Sequence, residues 1–311
     1  MAAPYAQAIR ISLMATPSTA DTTHALIVTA DDFGRSREVN AAVARAHRDG
    51  ILTAASLMVA GSASAEAAAI ARDHPNLDVG LHVTVCLGRS ILPPARLLGL
   101  VDPNGDFSAS PVAAGMRYFF KSDMRALLRE ELRAQIDRHL ELIGHLSHLD
   151  GHLNFHVHPT VAGILLELCT EYRIPCMRLP REPVLTTLSL ARDHALRKLT
   201  EALIFRALSR RSKRMMSERG ILTTDRLFGL HQSGHFTEPY VFGVIERLPR
   251  GLTEIYFHPA IDVGATPPDL STQRDFAILT NPSIRAALDS HAIRLTNFAE
   301  LSRQRTITKT Q

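Results

Sequence analysis

Cysteine is scarce in this chain of 311 residues: Cys86, Cys169 and Cys176 are all it has. Three thiols, an odd number without the paired spacing of a metal-binding motif, exclude a disulfide-stapled scaffold and point to a reducing compartment. No run of about 18 apolar residues occurs, so no segment is expected to span a membrane. Residues 1–23 hold Arg10 and a short apolar patch, Ile11 to Ala15, too short for a secretory leader. They read as a disordered tail, and the chain is expected in the cytoplasm. RNA-binding aromatic motifs and zinc-finger spacings are absent, and a net charge of +4 is too mild to argue for nucleic acid. There is no Gly-x-Ser-x-Gly elbow. No Gly-rich phosphate loop with a lysine follows the first apolar run.

What is present is an ordinary apolar fraction of 45%, enough for a large core. Ala25 to Thr29 is a short continuous apolar run with β-branched residues, the mark of a buried parallel strand. A helical stretch follows from Glu38 to Arg48, with Gly50 as its C-cap. Ala54 to Val59 reads as a strand, Ser64 to Asp73 as a helix ended by Pro75, and Val79 to Val85 as a third strand. This alternation predicts a parallel α/β sheet. Residues 88–118, rich in proline and glycine, read as a long irregular excursion. Asp123 to Leu142 is a helix, a strand lies near residue 150, and Val161 to Tyr172 is another helix. Cys176 to Leu179 and Glu254 to Phe257 are further strands. With no repeat or linker, the expectation is one α/β domain over residues 24–302, a distorted (β/α) TIM-like barrel, with residues 303–311 as a C-terminal tail.

Polar clusters stand where strands give way to loops, the place where parallel α/β folds bind ligands. Asp31-Asp32 follows the first strand. Adjacent carboxylates repel unless a metal or a shared proton holds them, although a lone Asp there would serve as a helix cap. Successive strand residues face opposite ways. Both acids can therefore address one site only if the backbone turns, which Gly34 permits. His82 sits within an apolar strand, where a hydrogen-bonded core role is the alternative. In Asp150-Gly-His-Leu-Asn-Phe-His-Val-His158, an extended chain would put Asp150, His152, Asn154, His156 and His158 on one face. At ~3.3 Å per residue His152 and His158 would stand about 20 Å apart, so they cannot share one metal. His258 follows the strand ending at Phe257 and is either core or catalytic. Carboxylate plus imidazoles with open positions is the ligand set of a hydrolytic metal centre.

Together, Thr29-Ala-Asp-Asp-Phe-Gly34, Gly80-Leu-His-Val-Thr84, His148-Leu-Asp-Gly-His152 and Tyr256-Phe-His-Pro259 resemble the YdjC-like (ChbG-like) carbohydrate deacetylase family. The resemblance spans about residues 24–300. It implies a (β/α) barrel variant that hydrolyses acetamido groups on sugars. It further implies Asp32, His82 and His152 as ligands of one divalent metal, Asp31 as catalytic base and His258 as general acid. Zinc or magnesium is the expected ion, with nickel and cobalt as alternatives. The inserted Leu153-Asn154-Phe155 departs from the family's compact pattern and weakens the substrate-binding roles carried onto His156 and His158. The segment Arg178-Leu-Pro-Arg-Glu182 resembles the hopanoid biosynthesis-associated branch, HpnK. That branch implies an N-acetylglucosaminyl hopanoid substrate and a substrate contact from Arg178. A metallo-phosphoesterase and a non-catalytic lipid-binding protein of the same pathway are the alternative readings.

Residues 191–219 read as an amphipathic helix or helix pair, with Leu196, Leu199, Leu203 and Ala207 at helical spacing. Between Arg206 and Arg219 lie Arg206, Arg210, Arg211, Lys213, Arg214 and Arg219 against one acid, Glu218. A solvated helix face is the simple reading. The alternative is a patch, centred on Arg210, Arg211, Lys213 and Arg214, that docks peripherally on the anionic inner membrane. The partners expected are an N-acetylated amino-sugar substrate, lipid-linked in the finer reading, and a second copy in a homodimer.

Overall fold

A computed structural model describes residues 24–264 and 267–309. The tail expected at residues 1–23 lies outside the described residues. Among the described residues the sheet has eight strands, and every pairing between them is parallel. Its centre is β1 (His24–Phe33), buried along nearly all of its length. β7 (Gly251–Phe257) lines one edge of β1 from His24 to Ala30. The other edge is shared by β8 (Arg294–Thr296) at Ala25–Ile27 and by β2 (Ala54–Leu57) higher up. Beyond β2 come β3 (Asp78–Val83), β4 (His148–Gly151) and β5 (Cys176–Met177), and beyond β7 comes β6 (Arg226–Phe228). No pairing joins β5 to β6 among the described residues, so the sheet is a curled, open barrel.

Helices cover the outside: α1 (Arg37–Asp49), α2 (Ser64–Asp73), α3 (Pro111–Phe120), α4 (Met124–Ile143), α5 (Pro159–Tyr172) and α6 (Val184–Leu190) come first. Then follow α7 (Ala195–Glu218), α8 (Glu238–Glu246), α9 (Leu270–Leu279), α10 (Pro282–Ser290) and α11 (Phe298–Lys309). α11 runs through most of the residues expected to form a C-terminal tail. The C-cap at Gly50 is extended rather than left-handed, φ −128°. Glycine is needed there because the backbone of Leu279 crosses where a Cβ would stand.

Three expectations are corrected. The excursion over 88–118 contains a real helix, α3, started by Ser110, whose hydroxyl accepts from the Ala113 N–H, and by Pro111 at its first position. Residues 152–157 are a 3-10 turn, with Leu153 and Asn154 in the left-handed region at φ 54° and 57°. The shared face from Asp150 to His158 therefore does not form. α7 is one helix of 24 residues and is turned inside out: Leu196, Leu199, Leu203 and Ala207 are exposed, while Lys198, Ser209 and Ser212 are buried.

Candidate metal centre and catalytic site

The site is built where the strands end. Asp31 and Asp32 are both buried at the end of β1. Pairing with β2 slips between Ala30 and Phe33, and Asp32 adopts φ +64°. Aspartate tolerates this left-handed conformation better than most residues. The bulge lies at Asp32 itself, so the turn needed for both acids to face one site precedes Gly34. Gly34, also at positive φ, meets the Leu57 side chain and the Met58 carbonyl, which leave no room for a Cβ.

Asp32 gathers two imidazoles. His152 Nδ1 stands 2.9 Å from Asp32 Oδ1, and His82 Nε2 stands 3.3 Å from the same oxygen. Arg35 donates to the other oxygen at 2.8 Å. The ligand atoms of Asp32, His82 and His152 lie within 4.8 Å of one another. His82 is held from behind. The β3–β4 register sets it opposite Asp150, and its Nδ1–H donates to Asp150 Oδ1 at 2.8 Å. Its Nε2 is buried and has no hydrogen-bond partner among the described residues. An imidazole tethered at one nitrogen by a carboxylate, with the other nitrogen aimed at a carboxylate and a second imidazole, fits a divalent metal. Without an ion, burial opposes the charge on His82. The Asp150 and Asp31 carboxylates outweigh it and raise the imidazole to about 10. Asp32 is likewise opposed by burial, yet the hydrogen bond from His152 and the His82 imidazole close beside it hold it well below the usual carboxylate range.

Behind the acids lies Arg178, which follows β5 and is fully buried. Its Nη1 and Nη2 donate to the two oxygens of Asp31 at 2.7 and 2.8 Å. Nε donates to Glu254 at 2.9 Å, and Nη2 also reaches Asp150 at 2.8 Å. The Tyr256 ring lies 4.6 Å from the guanidinium carbon. Thr29 and Ser56 hydroxyls donate to Glu254 and Asp150 at 2.9 and 2.7 Å. One cation thus orders three buried carboxylates. Burial raises Glu254, whereas the Arg178 and His82 charges overcome burial and lower Asp150. Arg178 turns inward and has no exposed face for a substrate.

His258 stands one position beyond Phe257, and Phe257 pairs with Ala30, so it flanks Asp31 on the neighbouring strand. Its ring is half-buried, and Ser233 Oγ lies 3.5 Å from its Nδ1. Its backbone N–H donates to Asp275, which burial raises to about 6. The structure does not bring His156 and His158 into this cluster. His156 is fully buried, and its Nε2 meets the Arg178 carbonyl at 3.1 Å. His158 Nε2 meets the Gly115 carbonyl at 3.1 Å. Sequence reasoning left Asp150, Glu254 and Tyr256 without roles. The signal for Asp150 was its place two residues before His152, and none marked Glu254.

The family model described as "YdjC-like protein" matches residues 25–290. The chain belongs to the YdjC-like family. This YdjC-like chain is 31% identical over 280 residues to the carbohydrate deacetylase of Geobacillus stearothermophilus, covering 88% of this chain and 96% of the relative. It is 30% identical to the carbohydrate deacetylase of Mus musculus, covering 90% and 96%. Among solved structures, a putative cellobiose-phosphate cleavage protein from Enterococcus faecalis superimposes with a TM-score of 0.69 at 22% identity. It covers 90% of this chain and 99% of its own, and that likeness concerns the fold alone.

Proposed function

We propose that this YdjC-like chain is a divalent-metal-dependent carbohydrate N-deacetylase. It would hydrolyse the acetamido group of an N-acetylglucosamine-type sugar to acetate and an amino sugar. The observation that carries the reading is the cluster of buried Asp32 and His82 with half-buried His152, and Asp31 beside it. A cation held by those three residues supplies Lewis acidity for water activation and carbonyl polarisation, with zinc or magnesium expected. Asp31 takes the proton of the attacking water. Arg178 fixes the carboxylate's orientation, and each Asp31 oxygen keeps a lone pair free of the guanidinium. His258 hands a proton to the amine as the C–N bond breaks.

The finer substrate assignment is an N-acetylglucosaminyl lipid of the hopanoid class. Support comes from α7, whose exposed leucines adjoin a groove of about 1400 Å³ lined by Leu185, Leu203, Arg206, Arg210, Lys213 and Arg214. The expected location is the cytoplasmic side of the inner membrane, and no helix of the described residues is long and apolar enough to cross one. The test is acetate release from an N-acetylglucosamine glycoside by chelator-treated chain with and without added zinc. Activity that depends on the ion and vanishes in His82→Ala is expected. Ion-independent release, or an active His82→Ala chain, sinks the assignment.

A further inference from the structure

A second group of metal-ligating side chains lies outside that centre. The ligand atoms of Asp193, His194 and His235 come within 4.8 Å of one another, and all three residues are exposed. They come from separate parts of the chain. Asp193 and His194 lead into α7, whereas His235 ends a run of turns after β6. The two imidazole rings face each other with centroids 5.0 Å apart and planes tilted by 45°. Two imidazoles and a carboxylate suit zinc and its neighbours in the first transition row, whereas calcium and magnesium favour oxygen donors.

We infer that Asp193, His194 and His235 form a second divalent-cation site, of zinc type, with water completing the coordination. Lys198 adjoins it: its Nζ donates to Asp193 Oδ1 at 3.0 Å and to the Ala191 carbonyl at 2.9 Å. That ammonium and the Gln232 side chain both steady the carboxylate. Exposed, and without the further carboxylates that Asp31 and Asp150 bring to the first centre, this site binds more weakly. A bound ion would tie the start of α7 to the loop that carries Ser233, whose hydroxyl lies 3.5 Å from His258 Nδ1. The site would thereby order the loop beside the catalytic centre while taking no part in the chemistry.

The experiment is equilibrium dialysis of the chelator-stripped full chain against zinc alone, with metal and protein both counted. Two ions per chain are expected for the wild type. One is expected for the His194→Ala/His235→Ala double variant and one for His82→Ala. Asp193→Asn, a milder change at an exposed position, should also lose the weaker equivalent. In wild type the second equivalent should slow amide exchange over residues 229–237, and in the double variant it should not. A double variant that binds as much zinc as the wild type overturns the site, as does a His82→Ala chain that binds none. A His82→Ala chain that still binds two ions overturns the catalytic ligand set instead, so the two failures are distinguishable.

Discussion

At the scale of residues, Arg178 decides how much negative charge this interior tolerates. Its guanidinium faces Asp31, Asp150 and Glu254 with almost no access to water. Removing one partner from a buried ionic cluster costs about 3–5 kcal/mol, because the remaining charges lose compensation. Arg178→Met is therefore expected to lower the unfolding free energy by about that much in a urea titration. A loss under about 1 kcal/mol would show that the carboxylates do not depend on Arg178. Asp31→Asn keeps the side chain's shape, giving up one of the two bonds accepted from Arg178, and leaves Asp32, His82 and His152 intact. It should retain bound metal while losing acetate release by about 10²–10⁴, the usual worth of a general base. Substantial activity in that variant would show that Asp31 is no base. Asp275 gives a pH signature. Burial raises it to about 6, above its value in an unfolded chain, so its ionisation favours unfolding. The native state is relieved of that penalty at pH 4 and bears it fully above pH 6. Asn can still accept the His258 N–H, so Asp275→Asn should be more stable than wild type by about 2–3 kcal/mol at pH 7 and equal to it near pH 4. Denaturation at both pH values checks this, and equal stability at pH 7 counts against a costly ionisation.

At the scale of elements, the strands that build the site were legible and the turns that aim it were not. Ala25 to Thr29 and Val79 to Val85 announce themselves because strands buried on both faces must be apolar throughout. Asp32, His82 and His152 could be picked out because polar residues at the ends of such strands stand against their surroundings. Two-residue alternation failed from His152 onward because it presumes an extended backbone. Leu153 and Asn154 turn left-handed instead, and His156 drops into the core. α3 was hidden by the prolines and glycines before it, although Ser110-Pro111 is a fair helix start. α7 misled differently: its leucine spacing was read correctly as helical, yet periodicity does not say which face is buried. Because Leu203 points outward, Leu203→Gln should change stability by no more than about 0.5 kcal/mol. Leu165→Ala, inside α5, should cost about 2–5 kcal/mol. Thermal melts of both variants check the orientation, and a large loss for Leu203→Gln would turn α7 round.

At the scale of the molecule, the open side of the sheet is where the chain's basic charge gathers. The groove runs between the segment that leaves β5 and strand β6, the two ends of the strand order, with α7 along it. Main-chain bonds from Leu227 to Arg181 and from Met177 to Leu222 stitch the edges together without filling the groove. Arg206, Arg210, Arg211, Lys213, Arg214 and Arg219 are all exposed, and among the described residues only Arg214 of these forms an ion pair, with Glu218 at 3.0 Å. Each Lys or Arg near an anionic bilayer contributes about 1 kcal/mol. Half of the six engaging would give about 3 kcal/mol, roughly a hundredfold in partitioning, and the exposed leucines beside them would add apolar insertion. Screening weakens exposed charges strongly once the Debye length falls toward about 4 Å, near 0.5 M salt. The chain should therefore co-sediment with vesicles containing phosphatidylserine at low salt and detach near that concentration. Replacing Arg210, Arg211, Lys213 and Arg214 with Gln should reduce binding and slow turnover of a lipid-linked acetamido sugar. Turnover of a soluble glycoside should stay unchanged, because none of the four touches Asp31, Asp32, His82, His152 or His258. Indifference of the wild type to anionic vesicles at low salt would make the α7 surface an ordinary solvated face and remove the support for a lipid-linked substrate.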